Sequence, residues 1–198
     1  DNDGYMWFGT QNGLNRYDGS QIQHFYNNPF EKNTLSNDDI SFLYEDSKSK
    51  LWVGTIHGLN SFNKITKDFT RHTELSEKNN SPAITGITED RHKTIWVSTY
   101  NGLWRLIPKG KTYKAIHFTN DDKNDKSLNN NTLGYIVKDK KGEIWVGSKS
   151  GLNKVIIKND KAQPEQQQVE FQNARNSPNS FFKTLNLPIQ KLFCEAQN

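Results

Sequence analysis

The chain has 198 residues, 32% hydrophobic and 12% aromatic, with a mean hydropathy of −0.91 and a net charge of +4 from 26 basic and 22 acidic residues. The charges are interspersed, without the basic stripe of a nucleic-acid surface; they fit solvated loops, or a mild attraction to an anionic ligand such as an acidic polysaccharide. One cysteine, Cys194, excludes an internal disulfide, and no run is long enough for a membrane helix, so any tie to a membrane belongs to other parts of a longer protein.

The first element is a phrase, D-N-D-G-Y-M-W-F-G-T-Q-N-G-L at Asp1 to Leu14, which returns at 46–59, 90–103 and 139–152. Its tryptophans, Trp7, Trp52, Trp96 and Trp145, step by 45, 44 and 49 residues. Each lies 6 residues after an acidic residue (Asp1, Asp46, Asp90, Asp139) and 6 before a glycine (Gly13, Gly58, Gly102, Gly151). Outside the phrase the spacing wanders. Constant spacing marks paired backbone, and variable spacing marks surface loops that absorb insertions.

In chain order, the first repeat predicts strands at the Trp7 segment, at Leu14 to Tyr17 and at Ile22 to Phe25. The second predicts Ile40 to Asp46, Leu51 to Thr55, Leu59 to Phe62 and Phe69 to His72. The third predicts Ile84 to Asp90, Ile95 to Thr99, Leu103 to Ile107 and Tyr113 to Phe118. The fourth predicts Leu133 to Asp139, the Trp145 strand, Leu152 to Ile157 and Val169 to Phe171, with the polar stretch Lys158 to Gln168 as a long loop between strands. These runs are β-branched and aromatic, punctuated by Gly, Asn, Asp and Ser, and none shows a helical apolar period.

Asp-x-x-Gly before each Trp suits a type I turn with a glycine at positive φ. Gly4 and Gly142 fit; Ser49 and Lys93 replace the glycine, so those two turns are expected to differ. Asn12-Gly13 and Asn101-Gly102 are two-residue hairpin signals. A four-stranded sheet of this size cannot bury both faces alone, so copies must stack. The expected fold is therefore all-β: four β-propeller blades at about 1–45, 46–89, 90–138 and 139–198, forming a segment of a larger protein. The tail from Leu187 to Glu195 overlays a first strand, with Ile189 and Leu192 in the places of Ile40 and Leu43. It is expected to pair with the Trp7 strand and close a ring. Closure as four blades or ring completion by a second chain are both open, since an unclosed edge invites association; self-association as a dimer is the expectation.

The phrase D-x-x-G-x-[ILM]-W-[VF]-[GS]-[TS]-x-x-G-L, with first strands I-S-F-L-Y-E-D and I-T-G-I-T-E-D, resembles the two-component regulator propeller repeat. So do the Asp/Asn/Ser-rich joints at Asn33 to Asn37 and His117 to Asn131. The resemblance covers nearly the whole chain. It implies the periplasmic sensor half of a hybrid two-component histidine kinase of the Bacteroides type. In such proteins the propellers precede an immunoglobulin-like domain, a membrane helix and cytoplasmic signalling modules, and they typically sense breakdown products of complex glycans. The kinase activity would then lie outside this chain.

Little here resembles catalysis. Asp46, Asp90 and Asp139 lack the earlier Ser of a sialidase-type Asp-box, where Tyr44, Thr88 and Val137 stand, and are read as structural turn residues. The five histidines form no H-x-x-x-H pair, and one cysteine builds no thiolate cluster, so neither metal nor cofactor is expected. There is no G-x-S-x-G elbow or phosphate-binding glycine loop. In a propeller the loops from strand two to three share one rim with the blade joints. That places Gln11-Asn12, Ile56-His57, Tyr100-Asn101 and Lys149-Ser150 around it, different in every repeat. Trp104 stands where Asn15, Asn60 and Asn153 stand elsewhere. The ligand-binding candidates are thus His57, Tyr100, Asn101, Trp104 and Lys149, an aromatic and polar mix suited to an oligosaccharide; ordinary loop roles, with Trp104 packed between blades, are the alternative. A propeller lyase or glycosidase and a protein-binding scaffold are the rival functions.

Overall fold

The computed structural model describes residues 1–76 and 81–173. These form antiparallel sheets in which sequence neighbours are also spatial neighbours. The first holds β1 (Met6–Thr10), β2 (Gly13–Tyr17) and β3 (Ile22–Phe25). The second holds β4 (Ile40–Glu45), β5 (Leu51–Thr55), β6 (Gly58–Asn63) and β7 (Asp68–His72). The third holds β8 (Ile84–Glu89), β9 (Ile95–Thr99), β10 (Gly102–Lys109) and β11 (Thr112–Phe118). The fourth holds β12 (Leu133–Lys138), β13 (Ile144–Ser148), β14 (Gly151–Lys158) and β15 (Gln168–Asn173). This is the all-β blade architecture, and no helix among the described residues is long and apolar enough to cross a membrane. The tail Leu187 to Glu195, with its ring-closing role, lies outside the described residues.

Two compact units are present, Asp1–Ile87 and the residues from Thr88 on. In the first, Leu14, Leu35, Ile40, Leu51, Val53, Phe62 and Phe69 are buried together, with Trp7, Phe25 and Leu43 packed against them. Trp7 lies 5.8 Å from Phe25 and 5.1 Å from Phe62, in stacked and edge geometries. In the second, Trp96, Leu103, Leu128, Leu133, Ile136, Ile144, Val146, Val155 and Phe171 form the equivalent core. The central Trp strands β5 and β9 are buried along their whole length, as a strand covered on both faces requires. Leu35 and Leu128, one from each Asn-rich joint, are fully buried. The joints are thus packed structure and not slack connectors.

The four Asp turns are alike, which corrects the expectation for two of them. The fourth residue donates its N–H to the Asp carbonyl in every case: Gly4 at 3.0 Å, Ser49 at 2.9 Å, Lys93 at 3.2 Å and Gly142 at 2.9 Å. Ser49 and Lys93 reach this at φ of 59° and 62°, beside 85° and 79° for the glycines. The local hydrogen bonds override the left-handed penalty of a side chain. Ser49→Gly and Lys93→Gly should therefore each raise stability by up to about 1 kcal/mol, read as a shift in the urea midpoint at unchanged m-value.

Candidate functional site

Two small side-chain devices shape every repeat. The Asp carboxylate bridges its own turn to the indole that follows. One Asp46 oxygen accepts from Lys48 N and Lys50 N, both at 2.9 Å, and the other accepts from Trp52 Nε1 at 2.9 Å. Asp139 does the same for Lys141 N, Glu143 N and Trp145 Nε1, and Asp1 for Asp3 N, Tyr5 N and Trp7 Nε1. The hairpin brings the seventh residue of the phrase back over the first, so the fixed spacing is that of an N–H to carboxylate bond. At the other end, a hydroxyl three residues after the Trp staples the second turn. Thr55 Oγ1 donates to Gly58 O at 2.9 Å and accepts from His57 N at 3.1 Å. Thr10, Thr99 and Ser148 repeat the arrangement. Sequence reasoning missed this hydroxyl, although G-T, S-T and G-S before x-x-G displayed it.

In the first unit the stapled turn opens into a cavity of about 380 Å³ lined by Ser36, His57, Gly58, Leu59, Arg71, His72, Thr73 and Ser81. Gly58 is held at φ 111° and donates to Pro82 O at 3.0 Å. His72 lies 4.8 Å from Trp52 and shares a 2.9 Å hydrogen bond with Ser61 Oγ. Ser36 Oγ bonds Thr55 Oγ1 at 3.1 Å and accepts from Asn60 Nδ2 at 2.9 Å. The cavity thus joins one strand-two-to-three turn, one joint and the end of β7. It brings His57 among the hydroxyl residues Ser36, Thr73 and Ser81 and the imidazole of His72.

In the second unit, Tyr100, Asn101 and Trp104 lie on or beside one hairpin. Tyr100 is 64% exposed. Asn101 offers its carbonyl to His117 Nε2 at 2.6 Å. Trp104 is 6% exposed and lies flat on His117, centroids 4.0 Å apart at 6°. This corrects the reading of Trp104 as an exposed sugar platform. Its cross-strand partner is His117, and the imidazole covers one indole face. The open ring is Tyr100. Lys149 is exposed on the turn between β13 and β14, where its N–H bonds Thr132 O at 3.2 Å.

The second unit also contains a buried charge network absent from the sequence-based expectations. Arg105 is fully buried. Its guanidinium lies 5.1 Å from the Trp96 ring and bonds Asp90 Oδ2 at 3.3 Å, Gln167 Oε1 at 2.6 Å and, through Nε, Thr94 Oγ1 at 3.1 Å. Burial pushes its pKa below the ordinary arginine value, with Asp90 opposing. Gln167 belongs to the 158–168 loop, which is therefore docked on the β8–β9 turn. The loop's Asp160 accepts from His92 Nε2 at 2.6 Å and pairs with Arg91 at 2.7 Å. The His92 bond, aided by Arg91, holds Asp160 below the usual carboxylate range. Among the described residues no three His, Cys, Asp or Glu side chains gather to hold a metal.

Two segments, 34–57 and 127–150, match the two component regulator propeller family model. Each runs from a joint through the first strand and Trp strand. Histidine kinase P4 of Formosa agariphila is 34% identical over 169 residues, 79% of this chain and 12% of the kinase. The extracellular domain assigned to a hybrid two-component system of B. thetaiotaomicron shares the fold at a TM-score of 0.62 and 22% identity, over 83% of this chain and 22% of that one. Virginiamycin B lyase from Staphylococcus aureus shares it at 0.56 and 15% identity, over 88% of this chain and 54% of the lyase. The chain thus spans a small part of the kinase and of the ectodomain it is similar to.

Proposed function

The chain belongs to the two-component regulator propeller family, and from that membership we infer that it is a ligand-sensing segment of the extracytoplasmic, periplasmic half of a hybrid two-component receptor. The ligand we assign is an oligosaccharide from glycan breakdown. The supporting observation is the His57 cavity, about 380 Å³ with hydroxyl and imidazole side chains in its lining, at a turn whose residues change in every repeat. Such convergent donors around a concave surface suit the hydroxyls of a sugar. Within the second unit, Tyr100 carries an exposed ring, Asn101 an amide and Lys149 a charge on the corresponding turns, as separate candidates for sugar contact. Trp104 backs the Tyr100 hairpin and does not touch ligand. Signal would pass as altered contacts between blades or between receptor copies. Self-association through a second chain is part of the same reading, and a measured solution mass of one chain would remove it.

The test is a thermal-shift and calorimetric screen of neutral and uronic-acid oligosaccharides against the chain. One class should bind saturably without turnover, and His57→Ala should weaken it by about tenfold, the value of one lost hydrogen bond. Turnover would point to a lyase or glycosidase, and silence across the panel to a protein-binding scaffold.

A further inference from the structure

The two Asn-rich joints are superimposable in their hydrogen bonding. Asn27 N donates to Asp38 Oδ1 and its amide to Leu35 O; Asn120 N donates to Asn131 Oδ1 and its amide to Leu128 O. Thr34 Oγ1 donates to Asn28 O at 3.1 Å, and Ser127 Oγ to Asp121 O at 3.0 Å. Asn33 O receives Phe69 N and Lys126 O receives Phe171 N, both at 2.8 Å. The backbone path of 27–38 is thus repeated at 120–131.

What fills the two loops differs. In the first, the Arg71 guanidinium enters and bonds Thr34 O at 2.9 Å, Asn28 O at 3.1 Å, Glu31 O at 3.0 Å and Thr34 Oγ1 at 2.8 Å. Arg71 pairs with Asn60 across β6 and β7, and the residue paired with Asn153 in the same register is Asn173. Its short amide makes only long bonds, 3.3 Å to Asp125 O and 3.4 Å to Ser127 O, and its Oδ1 is buried with no hydrogen-bond partner among the described residues. The second loop borders an open cavity of about 620 Å³ lined by residues 120–125, Ser127, Leu128 and Asn173. The acceptors that hold Arg71 in the first joint recur there as Asp121 O, Asn124 O, Ser127 O and Ser127 Oγ. Its lining residues include three aspartates, Asp121, Asp122 and Asp125, and one lysine, Lys123.

We propose that the second joint is a binding site for one guanidinium group, an arginine side chain from outside the joint that takes the place Arg71 takes in the first. A planar fork of five donors fits acceptors spread over several carbonyls, which an ammonium or a compact metal ion cannot span. None of the rim residues assigned to sugar takes part.

The probes are methylguanidinium, free L-arginine, and a short peptide carrying arginine or, as control, lysine. Titration of the whole chain followed by amide NMR should move the resonances of 120–128 and Asn173 saturably with the arginine probes. Lysine peptide and Ca²⁺ should leave them unmoved. Asn173→Arg should fill the site from within, weakening exogenous binding at least about tenfold while raising the melting temperature, which shows that the variant folds. Binding of the peptide alone would identify a polypeptide source, and equal binding of free arginine a small-molecule one. Wild-type resonances that stay fixed, or Asn173→Arg binding as well as wild type, would overturn the proposal.

Discussion

Asp90→Ala is expected to destabilise the second unit by about 3–5 kcal/mol, because it strands a buried arginine without its counter-charge. Asp90 accepts from His92 N at 2.8 Å, Thr94 N at 3.0 Å, Trp96 Nε1 at 2.9 Å and Arg105 Nη2 at 3.3 Å, and also from the Thr94 hydroxyl. The equivalent Asp46 serves the same turn and indole, but Ser61 stands where Arg105 stands, so no buried cation depends on it. Asp46→Ala should accordingly cost only about 1–3 kcal/mol, the value of orphaning turn N–H groups and an indole. Arg105→Leu removes the charge together with its desolvation and should be milder than Asp90→Ala. Urea unfolding of the three variants checks the order. An Asp90→Ala cost no larger than that of Asp46→Ala would show that the buried pair contributes nothing beyond the shared turn.

The blades were legible because the repeat copies one backbone four times, and the strand bounds follow from β-branched runs between turn residues. The Asp-to-Trp spacing was visible as a number, and its cause, a carboxylate accepting from an indole, needed the hairpin geometry. Ser49 and Lys93 misled because propensity favours glycine at positive φ, whereas the Asp side chain and the carbonyl bond fix that conformation regardless. Trp104 misled because its burial depends on His117 across the strand pair, a contact no local pattern reports. Arg105 and Gln167 meet across 62 residues of chain, within a loop whose polarity reads as solvation. The equivalence of the joints was seen as composition only. Which of Arg71 and Asn173 enters each loop depends on register across β6–β7 and β14–β15, below the resolution of a repeat phrase.

The glycine two residues after the Trp carries the second large effect. An added Cβ at Gly54 would lie 2.6 Å from Ile84 Cγ2, 2.8 Å from Ile84 Cβ and 3.3 Å from Phe42 Cβ. At Gly9 the same approach is made by Ile40, at 2.6 Å to Cγ2 and 3.0 Å to Cβ. The branched methyl of the next first strand thus drops onto a bare backbone. Gly147 has no such neighbour, since its nearest contact is Tyr135 O at 3.8 Å. Gly54→Ala should therefore cost at least about 1–3 kcal/mol by overpacking, whereas Gly147→Ala should be neutral or gain up to about 1 kcal/mol from a stiffer unfolded chain. The next repeat differs at both of the corresponding positions. There Ser98, fully buried, replaces the glycine, and the first strand that follows begins with Leu133 instead of isoleucine. Leucine moves its branch one carbon outward, away from the crowded Cβ. Gly54→Ala combined with Ile84→Leu should then recover part of the single-variant loss, giving a coupling of about 0.5–3 kcal/mol in a double-mutant cycle. Strict additivity would mean that the close approach, and with it the reason for glycine at this place, lies elsewhere.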